Sequence, residues 1–203
     1  MIVAIDLPMI PTPETPESAV ALRNLLLHVI RGHYVSAWNN PNVSTLVVKA
    51  VQSGNPGNVP SAVAAALLTI GAVHAPMAMA RRVWEMTHDE FVAHMESGVI
   101  MAGWGNDFFK DRVDPAWEPV MEVLRQDFVP EWEKLQDRVG VMHRKSPTIW
   151  PNPGGLTAIA CEIAKVPKGS EHLLFMLSRI TAWTDILQRL GEEDGESAEE
   201  TSA

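Results

Sequence analysis

One histidine stands out because its neighbours place it at the end of a helix. His74 follows an Ala-rich stretch without formal charge that starts at Ser61, and Pro76 comes two residues later. Proline removes a helical hydrogen bond, so it breaks or kinks the helix near residue 75. His74 then lies beside free backbone groups, where a polarisable imidazole can meet a ligand. The same spacing fits a core histidine bonded to a backbone carbonyl, and both interpretations stay open.

A loop between residues 103 and 115 combines glycines, aromatic side chains and positive charge. Its two glycines allow close approach to the backbone, its aromatics offer apolar walls, and its basic residues can meet a phosphate. An acyl-CoA thioester or a nucleotide can be held in this way. An ordinary interhelix loop anchored by its aromatics is the alternative. The residues concerned are Gly103, Trp104, Gly105, Phe108, Phe109, Lys110 and Arg112.

Helical periodicity and capping residues dominate the remainder of the chain. Thr15 and Pro16 predict a helix start, and Gly32 is expected to end that helix. Thr87 and Glu90 form a capping box for a short helix that ends at Gly98. No sustained period-two alternation occurs, so we predict an all-α fold. The other predicted helices span residues 44–53, 60 to about 75, 116–128, 130–139, 156–165 and 170–190.

The composition predicts one folded unit between two segments of different character. Residues 1–14 are Pro-rich and predicted to form an extended arm, and residues 15–190 form the helical domain. Residues 191–203 are acidic and lack large apolar side chains, so we predict a disordered tail. That tail carries most of the net charge of −9. A negative net charge argues against a nucleic-acid partner.

The cysteine and histidine content indicates the cellular location and the cofactors to expect. The single Cys161 excludes an internal disulfide and fits a cytoplasmic location. The apolar start lacks the basic residues of a signal peptide, and the Ala-rich stretch predicts a buried helix rather than a membrane span. No pair of histidines has a convincing metal spacing, so we expect no metal site.

Four segments, taken in order, resemble the citrate synthase superfamily, including its citryl-CoA lyase-like members. They are NVST at 42–45, GAVHAP at 71–76, GWGNDFFK followed by DP at 103–115, and LSRITAW at 177–183. The resemblance implies the helical fold of that family and covers the chain from about Leu25 to Leu190. Since the chain is roughly half as long as a full-length member, it implies a fold truncated on its N-terminal side.

The resemblance implies a retained thioester site with altered acid–base groups. The family histidine that aligns with His74 stabilises the enol of a thioester, whereas the loop histidine that polarises the acceptor falls on Asn106. The family's carboxylate-binding histidine falls near Asn39. Its catalytic aspartate falls in residues 150–153, where Asn152 stands and no carboxylate occurs. An amide cannot take up an α-proton, so the nearest carboxylate, Asp107, is the expected base.

The remaining site residues follow from the same motifs. The resemblance implies that Ser44, Trp104 and Arg179 contact the substrate, together with Asn39 and Asn152. It implies that Gly103, Gly105, Lys110 and Arg112 contact the coenzyme, which is a thioester substrate rather than a permanent cofactor.

Three functions remain open from the sequence. The first is a divergent enzyme that makes or breaks a C–C bond beside an acyl-CoA thioester carbonyl, through an enolate. The second is a catalytically degenerate subunit or scaffold partner of a larger citrate synthase-like complex. A CoA-binding module without chemistry is a third option. We expect a homodimer or a heteromer with a related subunit in either case, and we expect no membrane partner.

Overall fold

The computed structural model describes residues 15–39, 43–70 and 75–200, and it describes residues 191–200 as backbone only. The predicted arm at 1–14, Asn40 to Asn42, His74 and residues 201–203 lie outside this part. The described part contains helices and no strand, as the sequence predicted. The helices are α1 (Pro16–Asn39), α2 (Val43–Gly54), α3 (Val59–Leu67), α4 (Met77–Glu85), α5 (His88–Glu96), α6 (Glu118–Asp127), α7 (Val129–Lys145), α8 (Pro153–Ile163) and α9 (His172–Glu200), with a 3-10 turn at Pro115–Trp117.

Capping side chains start α1 and α5 where the sequence predicted. The hydroxyl of Thr15 accepts the backbone N–H of Ser18 at 3.1 Å, and Pro16 occupies the first helical position. At α5 the hydroxyl of Thr87 accepts the N–H of Glu90, whose carboxylate accepts the N–H of Thr87 at 2.8 Å. Both predicted helix starts are therefore confirmed.

The prediction that Gly32 ends α1 is wrong, because the helix continues to Asn39. Gly32 is buried, and a Cβ placed on it would lie 2.9 Å from Cε2 of Trp117. The glycine therefore admits a tryptophan against the helix backbone instead of ending the helix. As a result, the buried face of α1 extends through His33, Ser36 and Ala37.

The Ala-rich helix is shorter than predicted. It ends at Leu67 rather than near residue 75, because the hydroxyl of Thr69 donates to the carbonyl of Ala66 at 2.7 Å and closes the last turn. Pro76 is not a break within a helix, since it is the N-cap of α4. Ala75, just before it, has a φ of +59°.

Two other helices extend further than predicted. Helix α7 was expected to end at residue 139 and continues to Lys145, with basic residues in its last turn that complement the helix dipole. Helix α9 continues through residues 191–200, for which the sequence predicted disorder. That segment contains five Glu, a residue with good helix propensity, and extending an existing helix needs no new nucleus.

The main core forms where α1 packs on α6 and α8. Leu25, Val29, Trp117, Leu124 and Leu156 are fully buried there. Helix α9 also packs along α1, and α4 packs against α8. This arrangement brings the C-terminal half of α1, the start of α8 and the first half of α9 around one depression in the surface.

Candidate active site

A cleft of about 250 Å³ opens where five segments of the described chain converge. Its wall includes α1, residues 75–77, the loop at 105–108, the start of α8 and α9. Five residues predicted for the site line it, namely Gly105, Asn106, Asp107, Asn152 and Arg179. The fold therefore brings together predicted residues that lie far apart in sequence.

Arg179 supplies a buried positive charge to the cleft. Its residue is 3% exposed, and its guanidinium carbon lies 5.2 Å from the centre of the Phe175 ring. Burial lowers the pKa of Arg179 to about 10, although the nearby Asp114 carboxylate acts in the opposite direction. The side chain stays protonated at neutral pH. Its Nε and Nη1 atoms are buried without a hydrogen-bond partner, so this guanidinium can bind a carboxylate that enters the cleft.

A buried carboxylate is held opposite that charge. Asp114 is 5% exposed and accepts a hydrogen bond from the hydroxyl of Ser36 at 3.1 Å. Ser36 in turn accepts the indole N–H of Trp117 at 3.2 Å. The second oxygen of Asp114 accepts the backbone N–H of Ala116 at 2.9 Å and caps the 3-10 turn. These bonds use both oxygens of the Asp114 side chain as acceptors.

The start of α8 fixes the position of the loop at residues 103–115. Asn152 is the N-cap of α8, and its Oδ1 accepts the N–H of Gly155 at 3.1 Å. Its Nδ2 donates to the carbonyl of Gly105 at 2.9 Å. Backbone bonds from Asn152 to Gly103 and from Gly105 to Trp150 complete the connection. Both ends of the Asn152 amide are therefore occupied by structural hydrogen bonds.

Asn106 and Asp107 present their side chains from the loop to the cleft. Oδ1 of Asn106 accepts the backbone N–H of Phe108 at 2.9 Å, so Nδ2 is the end of the amide that can donate to a ligand. Asp107 is exposed at the same wall. The pair offers one neutral donor and one carboxylate base to the same space.

The outer side of the loop carries the basic residue predicted to meet phosphates. A shallow depression there is lined by Trp104, Asn106, Asp107, Lys110 and Ile149, among others. Lys110 is exposed. The indole of Trp104 also packs 5.6 Å from the ring of Phe91, so it anchors the loop to the core.

Other predicted residues lie away from the cleft or outside the described chain. Asn39 is exposed at the end of α1, and Ser44 is fully buried in α2. Gly103 is buried with its backbone against Gly155. Arg112 is exposed and lies 5.9 Å from the ring centre of Phe109. His74 is not among the described residues, but its neighbour Ala75 lines the cleft.

Four cleft residues with a polar or aromatic side chain were not predicted as site residues from the sequence: His33, Ser36, Asp114 and Phe175. Because the sequence predicted that α1 ends at Gly32, it placed His33 and Ser36 in the connection after that helix. When the helix is continued, Val29, His33 and Ser36 follow Leu25 at i+4, i+8 and i+11 on the same buried face, so the periodicity itself contained the signal. Asp114 belongs to the DP segment quoted above but was given no role in the site, and Phe175 shows no comparable pattern in one sequence.

Two features of the described residues bear on the expectations about a metal site and a membrane span. No group of three or more His, Cys, Asp or Glu side chains lies close enough to hold a metal ion within residues 15–39, 43–70 and 75–190. Among the helices that the structure describes, none has the length and the apolar character needed to cross a bilayer.

Comparison with solved structures finds the same architecture in citryl-CoA lyase from Hydrogenobacter thermophilus, with a TM-score of 0.69 and 18% sequence identity. The match covers 89% of this chain and 72% of that chain. No protein-family model matches this sequence. No curated protein matches it either. At this level of identity the likeness establishes the fold alone, so the predicted all-α, citrate synthase-like fold is confirmed.

Proposed function

We propose that the protein acts on an acyl-CoA thioester and makes or breaks a C–C bond beside the thioester carbonyl. The observation that carries this proposal is the cleft itself. It joins a buried cation, an amide donor and an exposed carboxylate, contributed by Arg179, Asn106 and Asp107. A Claisen- or aldol-type reaction needs these three groups: one to bind an acidic acceptor, one to stabilise an oxyanion and one to move a proton.

Each group has one role in the proposed reaction. In the synthetic direction the α-proton of the thioester moves to the carboxylate of Asp107, and the enolate oxygen is stabilised by His74. The α-carbon then attacks a carbonyl carbon whose oxygen receives a hydrogen bond from Nδ2 of Asn106, and the alkoxide that forms takes up the proton that Asp107 holds. Arg179 holds a carboxylate of the acceptor. Cleavage follows the same steps in reverse.

The coenzyme is placed on the outer side of the same loop in this proposal. Lys110 is exposed beside the depression that Trp104 and Ile149 line, and its ammonium group can meet a phosphate there. The thioester end then reaches the cleft past Asn106 and Asp107, which line both spaces. Arg112 adds a second exposed cation to this loop.

Exchange of the thioester α-proton with solvent tests the first chemical step without an acceptor. The protein is incubated with acetyl-CoA or a longer acyl-CoA in D₂O, and deuterium uptake is followed by mass spectrometry. We expect uptake above the protein-free rate and its loss in both His74→Ala and Asp107→Asn. The matched control is Asp127→Asn, which alters an exposed carboxylate on α6 outside the cleft and should exchange as wild type.

A catalytically degenerate subunit is the second candidate, and the hydrogen bonds of Asn152 favour it. The resemblance places the family's base at this segment, yet both ends of the amide serve the helix cap and the loop. Absence of both exchange and CoA binding across several thioesters would leave this candidate. Light scattering after size exclusion would then show whether the chain forms a homodimer or requires a related subunit, and a stable monomer would contradict both expectations.

A further inference from the structure

Ala75, which lines the cleft, has a backbone conformation that alanine rarely adopts. Its φ is +59°, in the left-handed region where a Cβ crowds the following carbonyl oxygen. Pro76 follows with a φ of −74° and a ψ of 60°, the values of an inverse γ-turn, and the N–H of Met77 donates to the carbonyl of Ala75 at 2.7 Å. A residue other than glycine keeps such a conformation only where its surroundings impose it.

A contact that can impose this conformation comes from the start of α9. Nε2 of His172 lies 3.1 Å from the carbonyl oxygen of Ala75. Since a carbonyl oxygen can only accept, the imidazole donates this hydrogen bond and carries a proton on Nε2. His172 is half-buried and does not itself line the cleft. It therefore acts on the cleft through the backbone of Ala75.

The residue before His172 is bonded to the helix that follows Ala75. Glu171 is 2% exposed, and its Oε1 accepts a hydrogen bond from Nη1 of Arg81 on α4 at 3.1 Å. Arg81 is also buried and donates to the carboxylate of Glu162 on α8 at 2.8 Å. Hydrogen bonds between charged groups are stronger than those between neutral ones. These bonds join the start of α9 to α4 and α8, so the imidazole of His172 meets Ala75 from a fixed position.

We propose that His172 is a positioning residue, which holds the backbone of Ala75 in its left-handed conformation and thereby sets one wall of the cleft. Without the bond from Nε2, Ala75 is free to relax to a negative φ, and the turn at Pro76 moves with it. The same helix carries Arg179, so α9 determines the place of both the wall and the cation. The effect on the reaction rests on the proposed function, in which His74, the residue before Ala75, stabilises the enolate.

The conformation of Ala75 can be measured without any substrate. A left-handed φ brings the amide proton close to the α-proton of the same residue, so the wild-type protein should show a strong NOE between these two protons of Ala75. We expect this NOE to weaken in His172→Ala and to remain in His172→Gln, whose Nε2 can donate from nearly the same position. The matched control is His28→Ala, which removes a half-buried histidine of α1 outside the cleft and should leave the NOE unchanged. An unchanged NOE in His172→Ala would overturn the inference.

Exchange of the thioester α-proton in D₂O measures the consequence for the chemistry. In His172→Ala the rate at saturating acyl-CoA should fall about tenfold, the factor for one hydrogen bond. The acyl-CoA concentration at half the maximal rate should stay the same, because the coenzyme is placed on the outer side of the loop. His172→Gln should restore most of the rate, which a loss of stability alone does not predict. A fall that His172→Gln does not restore, or an equal fall in His28→Ala, contradicts a positioning role.

Ala75→Gly provides a second test through the partner of the hydrogen bond. Glycine adopts a positive φ without steric cost, so the turn should depend less on His172 in this background. Adding His172→Ala should then lower the exchange rate less than it does with alanine at this position, and equal losses in both backgrounds would contradict the inference. Circular dichroism confirms folding of each variant.

A measurement on the wild-type protein covers the case in which His172→Ala unfolds. The ¹⁵N resonances of the His172 ring should show a proton on Nε2, and a ring protonated at Nδ1 alone contradicts the bond to Ala75. The outcomes also separate the two proposals. An Ala75 conformation that depends on His172, without α-proton exchange in the wild-type protein, contradicts the proposed function alone. Exchange together with an Ala75 conformation that is independent of His172 contradicts this inference alone.

Discussion

Gly103 and Gly155 meet backbone to backbone where the loop crosses the start of α8. A Cβ on Gly155 would lie 2.3 Å from the carbonyl oxygen of Gly103, and a Cβ on Gly103 would lie 2.9 Å from the Cα of Gly155. Gly103 also has a φ of +88°. No side chain fits between these segments, so this contact sets the distance between the loop that carries Asn106 and the helix that Asn152 caps.

Replacing Gly155 by alanine should therefore destabilise the protein although the position is helical. We expect a loss of about 1–3 kcal/mol in the free energy of unfolding, as for other overpacked sites, with weaker acid binding because the loop must move. Gly140→Ala is the matched control, since it is also helical and a Cβ there meets nothing within 4 Å. That variant should gain about 0.5–1 kcal/mol. Urea unfolding measures the change in the free energy of unfolding for both variants. A change of the same sign in the two would contradict the close contact.

The sequence predicted the helix starts better than the helix ends. A start is encoded locally, since Thr15 and Thr87 cap the backbone three residues later. A glycine within a helix has no such local meaning. Gly32 and Gly140 both look like stops, but one accommodates Trp117 and the other lies in open space. The difference depends on which residue packs there, and a single sequence does not contain that information.

The motifs named residues that the fold brings together. Asn106, Asp107, Asn152 and Arg179 line one cleft, and their roles there stay predictions. His33 was missed because its position in the cleft depends on α1 continuing past Gly32 and on a hydrogen bond to Thr157, 124 positions later. Ser44 lies in the NVST segment and Asn39 three residues before that segment, yet neither lines the cleft.

Asn152 should contribute to stability through two separate hydrogen bonds. Asn152→Ala removes the N-cap, at about 0.5–2 kcal/mol, and the bond to Gly105, at about 1 kcal/mol. Asn58→Ala is the control, because Asn58 caps α3 through one bond to the N–H of Ser61 at 3.1 Å. We expect the free energy of unfolding to fall further for Asn152→Ala than for Asn58→Ala. Equal losses would show that the Gly105 bond contributes nothing.

Asn152→Asp separates the same two bonds by another route. A carboxylate still accepts the N–H of Gly155 and interacts favourably with the helix N-terminus, but it cannot donate to Gly105. We expect an intermediate stability, between that of wild type and that of Asn152→Ala, in the same urea experiment. A variant less stable than Asn152→Ala would mean that repulsion from the Gly105 carbonyl exceeds the energy of the cap.

Lys110 should bind a coenzyme phosphate if the outer depression holds CoA. Lys110→Ala is expected to weaken CoA binding by up to about fivefold in titration calorimetry, since an exposed charge contact contributes at most about 1 kcal/mol. The effect should shrink as salt is added. Lys168→Ala removes the same charge elsewhere, where Lys168 pairs with Glu85 at 2.8 Å. Equal weakening in both variants would indicate net charge rather than a contact.

Stability should fall as the solution is acidified through the ordinary titration range of histidine. Burial, followed by the charge of Arg179, holds the pKa of His33 well below its usual 6.5. Below about pH 6.5 the imidazole of His33 is protonated in the unfolded chain but stays neutral in the folded chain. The unfolded state therefore binds more protons in this range. The free energy of unfolding therefore decreases from about pH 6.5 down to the lowered pKa, with a slope approaching about 1.4 kcal/mol per pH unit for this one group.

His33→Gln removes the proton-binding site and should flatten that part of the curve in urea titrations at a series of pH values, while contributions shared by both proteins cancel. Parallel curves for wild type and variant would show that His33 titrates alike in the folded and unfolded chains, and would contradict its burial as a neutral imidazole.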